Sequence, residues 1–305
     1  MSSAFASDGR SAHSHGSRQR FLRGLRTALR EKRGFAAGKL GFSEQVWLQS
    51  CAEPDGGTPA ERARRAAMRF HACTQAGVFP DSDEYVARCG AAFLQSLGHM
   101  DFVAAHTSPL VEHVVARLGL RPHLVGFNDL EPNRSIPYEP ADCYLPDLQD
   151  LRVLIVTTPA DLLVERAVPE TFAAVWRSTG CPWFYPASLE ALSFTSVFDP
   201  SVREKFGSSL ELESSICGEL CTRDFDVALV GASSMGVPIV RQVKEMGKVG
   251  LSLGGHLQVL FGVQGRRWRD DPAWQRSYWN DSWVDMPTDT YPRRAGWVVD
   301  DGAYW

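Results

Sequence analysis

The chain has 305 residues, 44% hydrophobic and 22% charged, with a formal net charge of -4, which allows one large globular domain or two small ones. The acidic balance excludes a surface built to track nucleic-acid backbone, which needs a strong positive field. No apolar run approaches the ~20 residues of a spanning helix, and the seven cysteines are odd in number and widely spread, so a reducing, cytoplasmic setting without a disulfide framework is expected.

Residues 1–34 reverse the overall balance, with Arg10, Arg18, Arg20, Arg23, Arg26, Arg30, Lys32 and Arg33 against Asp8 and Glu31. The first part is rich in Ser, Gly and His and has the composition of a disordered segment. Residues 19–33 fit a basic amphipathic helix with Phe21, Leu22, Leu25, Ala28 and Leu29 on one side, suited to peripheral membrane contact or to a transit peptide. The simpler expectation is a solvated basic tail, 1–34, ahead of one folded domain, 35–305.

Within that domain, residues 35–47 are apolar with glycines, and helices are expected over 60–73 and 81–97, the second opening in the acidic cluster Asp81, Asp83, Glu84. Residues 101–106 read as a short strand, and the prolines between 119 and 150 mark a loop-rich connection. From residue 151 strands and helices alternate. Strands are expected at 152–157, 183–185, 226–230 and 249–253, and helices at 169–177, 210–220 and 237–246. Strand, helix, strand at this spacing predicts βαβ units. The fold class is therefore α/β: a Rossmann-like, mostly parallel, doubly wound sheet flanked by helices.

Two turns follow strands in this half, Gly231-Ala232-Ser233-Ser234-Met235-Gly236 and Gly254-Gly255-His256. If their strands are parallel neighbours, both turns line one crevice at the carboxyl edge of the sheet, where small residues let backbone N–H groups approach a phosphate. Ser233 stands at the second glycine of a dinucleotide fingerprint and no acidic residue follows the next strand, so NAD and flavin are not expected. Val237 and Pro238 replace the Lys and Ser/Thr of a P-loop, which disfavours NTP hydrolysis. By itself the 231–236 motif is equally a tight turn whose glycines serve packing.

The stretch 253–268, LGGHLQVLFGVQGRRW, together with the 226–236 strand and turn, the NDSW of Asn280 to Trp283 and the terminal DDGAYW, resembles the GT-D fold glycosyltransferases, a bacterial family found with polysaccharide and adhesin glycosylation. The resemblance implies transfer of a hexosyl group from a nucleotide diphosphate sugar to a hydroxyl of a glycan acceptor. On this reading Gly231, Ala232, Ser233, Gly236, Gly254, Gly255 and Gln258 lie along the donor and Lys39, Arg266 and Arg267 against its phosphates; of the catalytic candidates, Glu44 would assist a metal or contact the sugar, and His256 would reach a phosphate or act as a base from the turn. The family's signature Arg-x-Gly-Asp-Gly-Glu appears here as Lys39-Leu40-Gly41-Phe42-Ser43-Glu44. Phe42 thus replaces the acidic partner, leaving Glu44 as the one carboxylate of this motif for Mn²⁺ or Mg²⁺. Less dependence on a metal is expected.

Asp224-Phe225-Asp226 imitates a metal-binding Asp-x-Asp but precedes its strand, which puts it at the edge opposite the crevice and makes it structural. Cys217 and Cys221 share a helix face with no further ligand at zinc spacing. Glu44 alone also reads as a solvated helix-start glutamate, and His256 as a helix-capping or packing residue. The tryptophans from Trp268 to Trp305 are expected mostly in the core. Two rivals stand beside transfer: another Rossmann-type nucleotide enzyme such as an oxidoreductase, and a non-catalytic nucleotide-sugar-binding protein.

Overall fold

The computed structural model describes residues 12–52, 58–105, 112, 115–117, 119–133, 135–287 and 290. Its centre is a seven-stranded, all-parallel sheet. The strands in chain order are β1 (Phe35–Leu40), β2 (Phe102–Ala105), β3 (His123–Gly126), β4 (Arg152–Thr157), β5 (Ser188–Ser193), β6 (Val227–Gly231) and β7 (Val249–Ser252), and their spatial order is β3-β2-β1-β7-β6-β4-β5. A separate two-stranded parallel pair joins β8 (Val263–Gln264) to β9 (Val284–Asp285). The α/β, Rossmann-like reading of the sequence therefore holds.

Alternate residues of each central strand point to opposite faces, so two cores form. Phe35, Ala37, Val153, Ile155, Val227 and Leu229 pack on one face beneath the helices Ala12–Glu31, Ala160–Arg166, Pro169–Val175 and His256–Leu260. Ala36, Leu40, Leu154, Val156, Ala228 and Val230 pack on the other, under Phe42–Ala52, Pro59–Thr74, Asp83–Gly98, Ser209–Cys221 and Gly236–Glu245. Most helix boundaries match the sequence expectation to within about two residues, a normal scatter for helix ends.

Residues 12–31 are not a solvated tail. They form one helix whose apolar stripe, Phe21, Leu22, Leu25 and Ala28, is fully buried on the first face. Phe21 meets Phe102 edge-on at 5.7 Å and Tyr144 at 5.9 Å. The amphipathic pattern was correctly seen, but the surface it covers is the sheet and not a membrane. Residues 1–11 lie outside the described residues. No described helix is long and apolar enough to cross a membrane.

The strand expected at 183–185 is absent. Tyr185 has a φ of +44°, a left-handed conformation that no strand accepts, and Trp183 and Phe184 pack instead against Phe172. The edge strand β5 begins three residues later and pairs with β4 from Arg152↔Ser188 to Thr157↔Ser193. The other edge strand, β3, lies inside the segment read as a loop-rich connection.

Candidate active site

β7 lies between β1 and β6 in the sheet. The chain leaves β1 and β6 towards the second face, into Phe42–Ala52 and Gly236–Glu245, and leaves β7 towards the first, into His256–Leu260. Neighbouring connections thus diverge at the carboxyl edge, the place where open parallel sheets bind ligands. The turns after β6 and β7 meet there: a Cβ added to Gly231 would lie 3.1 Å from the Gly254 carbonyl oxygen.

The two turns differ in the donors they can offer. After β6, the Ser234 N–H donates to Ala76 O at 3.3 Å, Met235 N–H to Ala232 O at 2.9 Å, and Gly236 N–H to Ser233 O. Gly236 and Ala232 are buried, and a Cβ on Gly236 would fall 2.4 Å from Ser252 Oγ. Gly236 thus sits in a packed position with its N–H already bonded; Ser233, with φ +46°, is the exposed residue of this turn. After β7, Gly254 takes φ +57° with open space at its Cβ position, and Gly255 follows at φ -64°. His256 N–H and Leu257 N–H are bonded back to Leu253 O and Gly254 O, whereas the N–H groups of Gly254 and Gly255 have no backbone partner among the described residues. The Gly254-Gly255 turn is the better anion cradle.

Next to this turn, through His256, lies a buried charge cluster. Lys39, next to the last residue of β1, places its Nζ 2.5 Å from Glu131 Oε1, and each side chain is 6% exposed. The same Oε1 lies 3.5 Å from Nδ1 of His256, whose side chain is 4% exposed. The Lys39 ammonium also sits 4.4 Å from the centroid of the Phe127 ring, a cation–π contact. Three residues from β1, the β3 loop and the β7 turn therefore converge at the carboxyl edge. Charges this dry are costly to desolvate and persist where they are mutually paired.

Sequence reasoning placed Lys39 and His256 in the site but missed Glu131. The available signal was an acidic pair, Asp129 and Glu131, directly after the short apolar run His123 to Gly126. The loop that carries Glu131 is tied down locally. Asp129 Oδ2 accepts from Gly126 N–H at 2.8 Å and from Ser17 Oγ at 2.5 Å, and burial raises the Asp129 carboxyl above its ordinary value. The Tyr144 hydroxyl donates to Leu130 O at 2.9 Å from the core side.

The other expected site residues make contacts within their own segments. Glu44 stands in the first turn of Phe42–Ala52 and folds back over the helix start, where a Cβ on Gly41 would be 2.5 Å from its Oε2. Phe42 is 65% exposed and meets His71 edge-on at 5.7 Å. Among the described residues no group of three His, Cys, Asp or Glu side chains could hold a metal ion. Gln258 is buried within His256–Leu260. Arg266 and Arg267 belong to the short helix Arg266–Arg269, where Arg266 faces Asp270 at 3.9 Å and the Arg267 guanidinium lies 5.9 Å from the Trp268 ring. These contacts are local to that segment. Asp300 and Asp301 lie outside the described residues.

Asp224 and Asp226 are structural, as their place before β6 implied. Arg152 bonds both carboxylates, reaching Asp226 at 2.8 Å, and this hydrogen bond holds Asp226 below the usual carboxylate range. Asn280 and Trp283 of the NDSW segment also serve the fold: Asn280 Nδ2 donates to Val175 O at 3.0 Å and Trp283 Nε1 to Tyr278 O at 2.9 Å. Trp274 and Trp283 are buried, 5.8 Å apart, beside Trp176 and Tyr278.

No protein-family model matches the chain, and no curated protein matches it. Among solved structures it is similar to the highly conserved domain of unknown function 1792, described as having a distinct glycosyltransferase fold; the similarity covers 80% of this chain and 82% of that one, at 12% identity and a TM-score of 0.42.

Proposed function

We propose that this protein transfers a hexosyl group from a nucleotide diphosphate sugar to a hydroxyl of a glycan acceptor. The observation that carries the reading is the buried Lys39–Glu131–His256 cluster next to the Gly254-Gly255 turn, whose N–H groups have no backbone partner among the described residues, at the carboxyl edge of a parallel sheet. The motif resemblance of residues 226–236 and 253–268 supports it independently of this geometry.

In this reading the diphosphate rests on the Gly254-Gly255 turn, with Ser233 on the facing turn. Backbone N–H groups held rigidly by a sheet edge stabilise charge on a departing diphosphate without reorganising at the moment of reaction. Lys39, paired with Glu131, supplies a fixed ammonium next to the turn. Glu131 fixes the position of His256 through Nδ1, the arrangement that lets an imidazole take a proton from an acceptor hydroxyl. A helix end contributes only about 0.3–1 kcal/mol towards holding an anion, whereas micromolar affinity needs about -8.2 kcal/mol. Lys39, Arg266 and Arg267 are the charges assigned to close that gap, with Mn²⁺ or Mg²⁺ contributing little.

The exposed Phe42, standing where the resembled signature has an acid, favours a second reading as a nucleotide-sugar-binding protein without turnover. A thermal-shift screen of the purified chain against nucleotide sugars, followed by calorimetry with chelator or Mn²⁺ and by a sugar-release assay, separates the two. A ligand at ~100 times its Kd adds about 2.7 kcal/mol of stability. Binding with release supports transfer and binding without release supports the second reading. Failure of every nucleotide sugar to bind, or binding that chelator abolishes while Lys39→Ala leaves it intact, overturns the assignment.

A further inference from the structure

The helix Ala12–Glu31 does more than cover the sheet. From its first turns, Arg18 reaches across 111 residues of sequence to Asp129 O at 2.9 Å, and its other guanidinium nitrogens donate to Glu131 O at 2.9 Å and Asp142 O at 2.9 Å. The same guanidinium reaches Asn128 O at 3.5 Å. Beside it, Ser17 Oγ donates to Asp129 Oδ2 and Gln19 Nε2 to Asp142 Oδ1 at 2.8 Å. The backbone on either side of Leu130 is thus gathered by one planar fork. One residue of that backbone carries the carboxylate that meets Lys39 and His256.

We infer that Arg18 is a positioning residue: by holding the carbonyl oxygens of Asp129, Glu131 and Asp142, it sets the loop that places Glu131 Oε1 between Lys39 and His256. The inference rests on the transferase reading for its consequence in turnover, but not for the placement of the loop. The loop lies outside regular secondary structure and its carbonyls have no ladder to join, so an external donor must satisfy them. Arginine suits the task because several donors sit in a rigid plane, a geometry that lysine's single ammonium does not reproduce. Displacement of a catalytic group by about 1 Å costs on the order of 10²-fold in rate, so loosening this loop slows turnover before it unfolds the protein.

The test compares Arg18→Ala and Arg18→Lys with Arg26→Ala in the full chain. Arg26 lies on the same helix and bonds Asp147 Oδ2 at 2.8 Å and Cys143 O at 3.0 Å, with no bond to residues 127–133 among the described residues. Hydrogen exchange of peptides spanning 127–133, donor-dependent kcat and KM, and thermal stability are measured for each. Both Arg18 variants are expected to exchange about tenfold faster or more in 127–133, with unchanged protection in β4 and β6, and to lose kcat about tenfold or more with little change in donor KM. Arg26→Ala keeps wild-type loop exchange and kcat. Unchanged exchange at 127–133 in Arg18→Ala overturns the inference, as does a loss shared equally by Arg26→Ala or spread across the whole sheet. If Arg18→Ala does not fold, Arg18→Gln is judged by the same criteria. A wild-type chain with no turnover removes the transferase reading, and the exchange comparison still decides the role of Arg18.

Discussion

Lys39 and Glu131 are 92 residues apart in sequence, yet Nζ of one and Oε1 of the other meet at 2.5 Å with both side chains nearly dry. Parallel pairing brings them together, because β1, β2 and β3 end at the same edge and the loop after β3 folds back over β1. Removing one partner leaves the other charge buried and uncompensated, at a cost of about 3–5 kcal/mol. Lys39→Met and Glu131→Leu are each expected to lose that amount in urea denaturation. The double variant is expected to recover most of it, since an apolar pair has no charge to desolvate, but to remain inactive. Recovery of activity along with stability would place the chemistry elsewhere.

Gly236 and Ser252 form a second coupled pair. A Cβ at Gly236 falls 2.4 Å from Ser252 Oγ but 3.4 Å from Ser252 Cβ, so the hydroxyl alone is the obstacle. Gly236→Ala is expected to destabilise by about 1–3 kcal/mol through overpacking, and Gly236→Ala with Ser252→Ala to be close to Ser252→Ala alone. Donor affinity of the folded double variant should equal that of wild type, as measured by calorimetry. A specific loss of affinity would place Gly236 at the donor site.

Gly255 allows one backbone donor to be deleted. Its φ of -64° already suits proline, so Gly255→Pro removes the N–H while keeping that dihedral. A hydrogen bond to a charged group is worth about 1.5–3 kcal/mol, and donor affinity is expected to fall about tenfold or more with a small change in melting temperature. Gly218→Pro is not a fair comparison, because it interrupts the helix Ser209–Cys221. Unchanged affinity in a folded Gly255→Pro would show that the turn does not hold the diphosphate.

Glu213 gives a pH signature on the second face of the sheet, away from the cluster. Burial pushes its carboxyl up to about 7, opposed by Arg241. In the unfolded chain a glutamate titrates near 4.3, so between those values the unfolded state has lost a proton that the native state keeps. Stability therefore falls as pH rises through that window, and the loss is complete above about pH 7. Glu213→Gln is expected to gain stability over wild type at about pH 8 and to differ little at about pH 4. A constant difference between the two proteins across this range, in denaturation at each pH, would show that Glu213 titrates normally.

The sequence by itself determined the class of fold and four of the inner strands, β2, β4, β6 and β7, while β1 was legible only as an apolar segment. β4, β6 and β7 are buried on both faces and read as short apolar runs, β4 largely β-branched, a signal that needs no partner to be seen. The same logic failed at the sheet edges: β3 and β5 are half covered, and SLEALS alternates without a strong apolar face. The apolar stripe from Phe21 to Leu29 was legible too, but a hydrophobic pattern states only that a face is covered, never by what. The tertiary structure alone decided that it covers the sheet, that Gly236 makes room for Ser252, and that Glu131 meets Lys39 and His256. Each of these is a contact between residues far apart in the chain, and composition and periodicity record only local order.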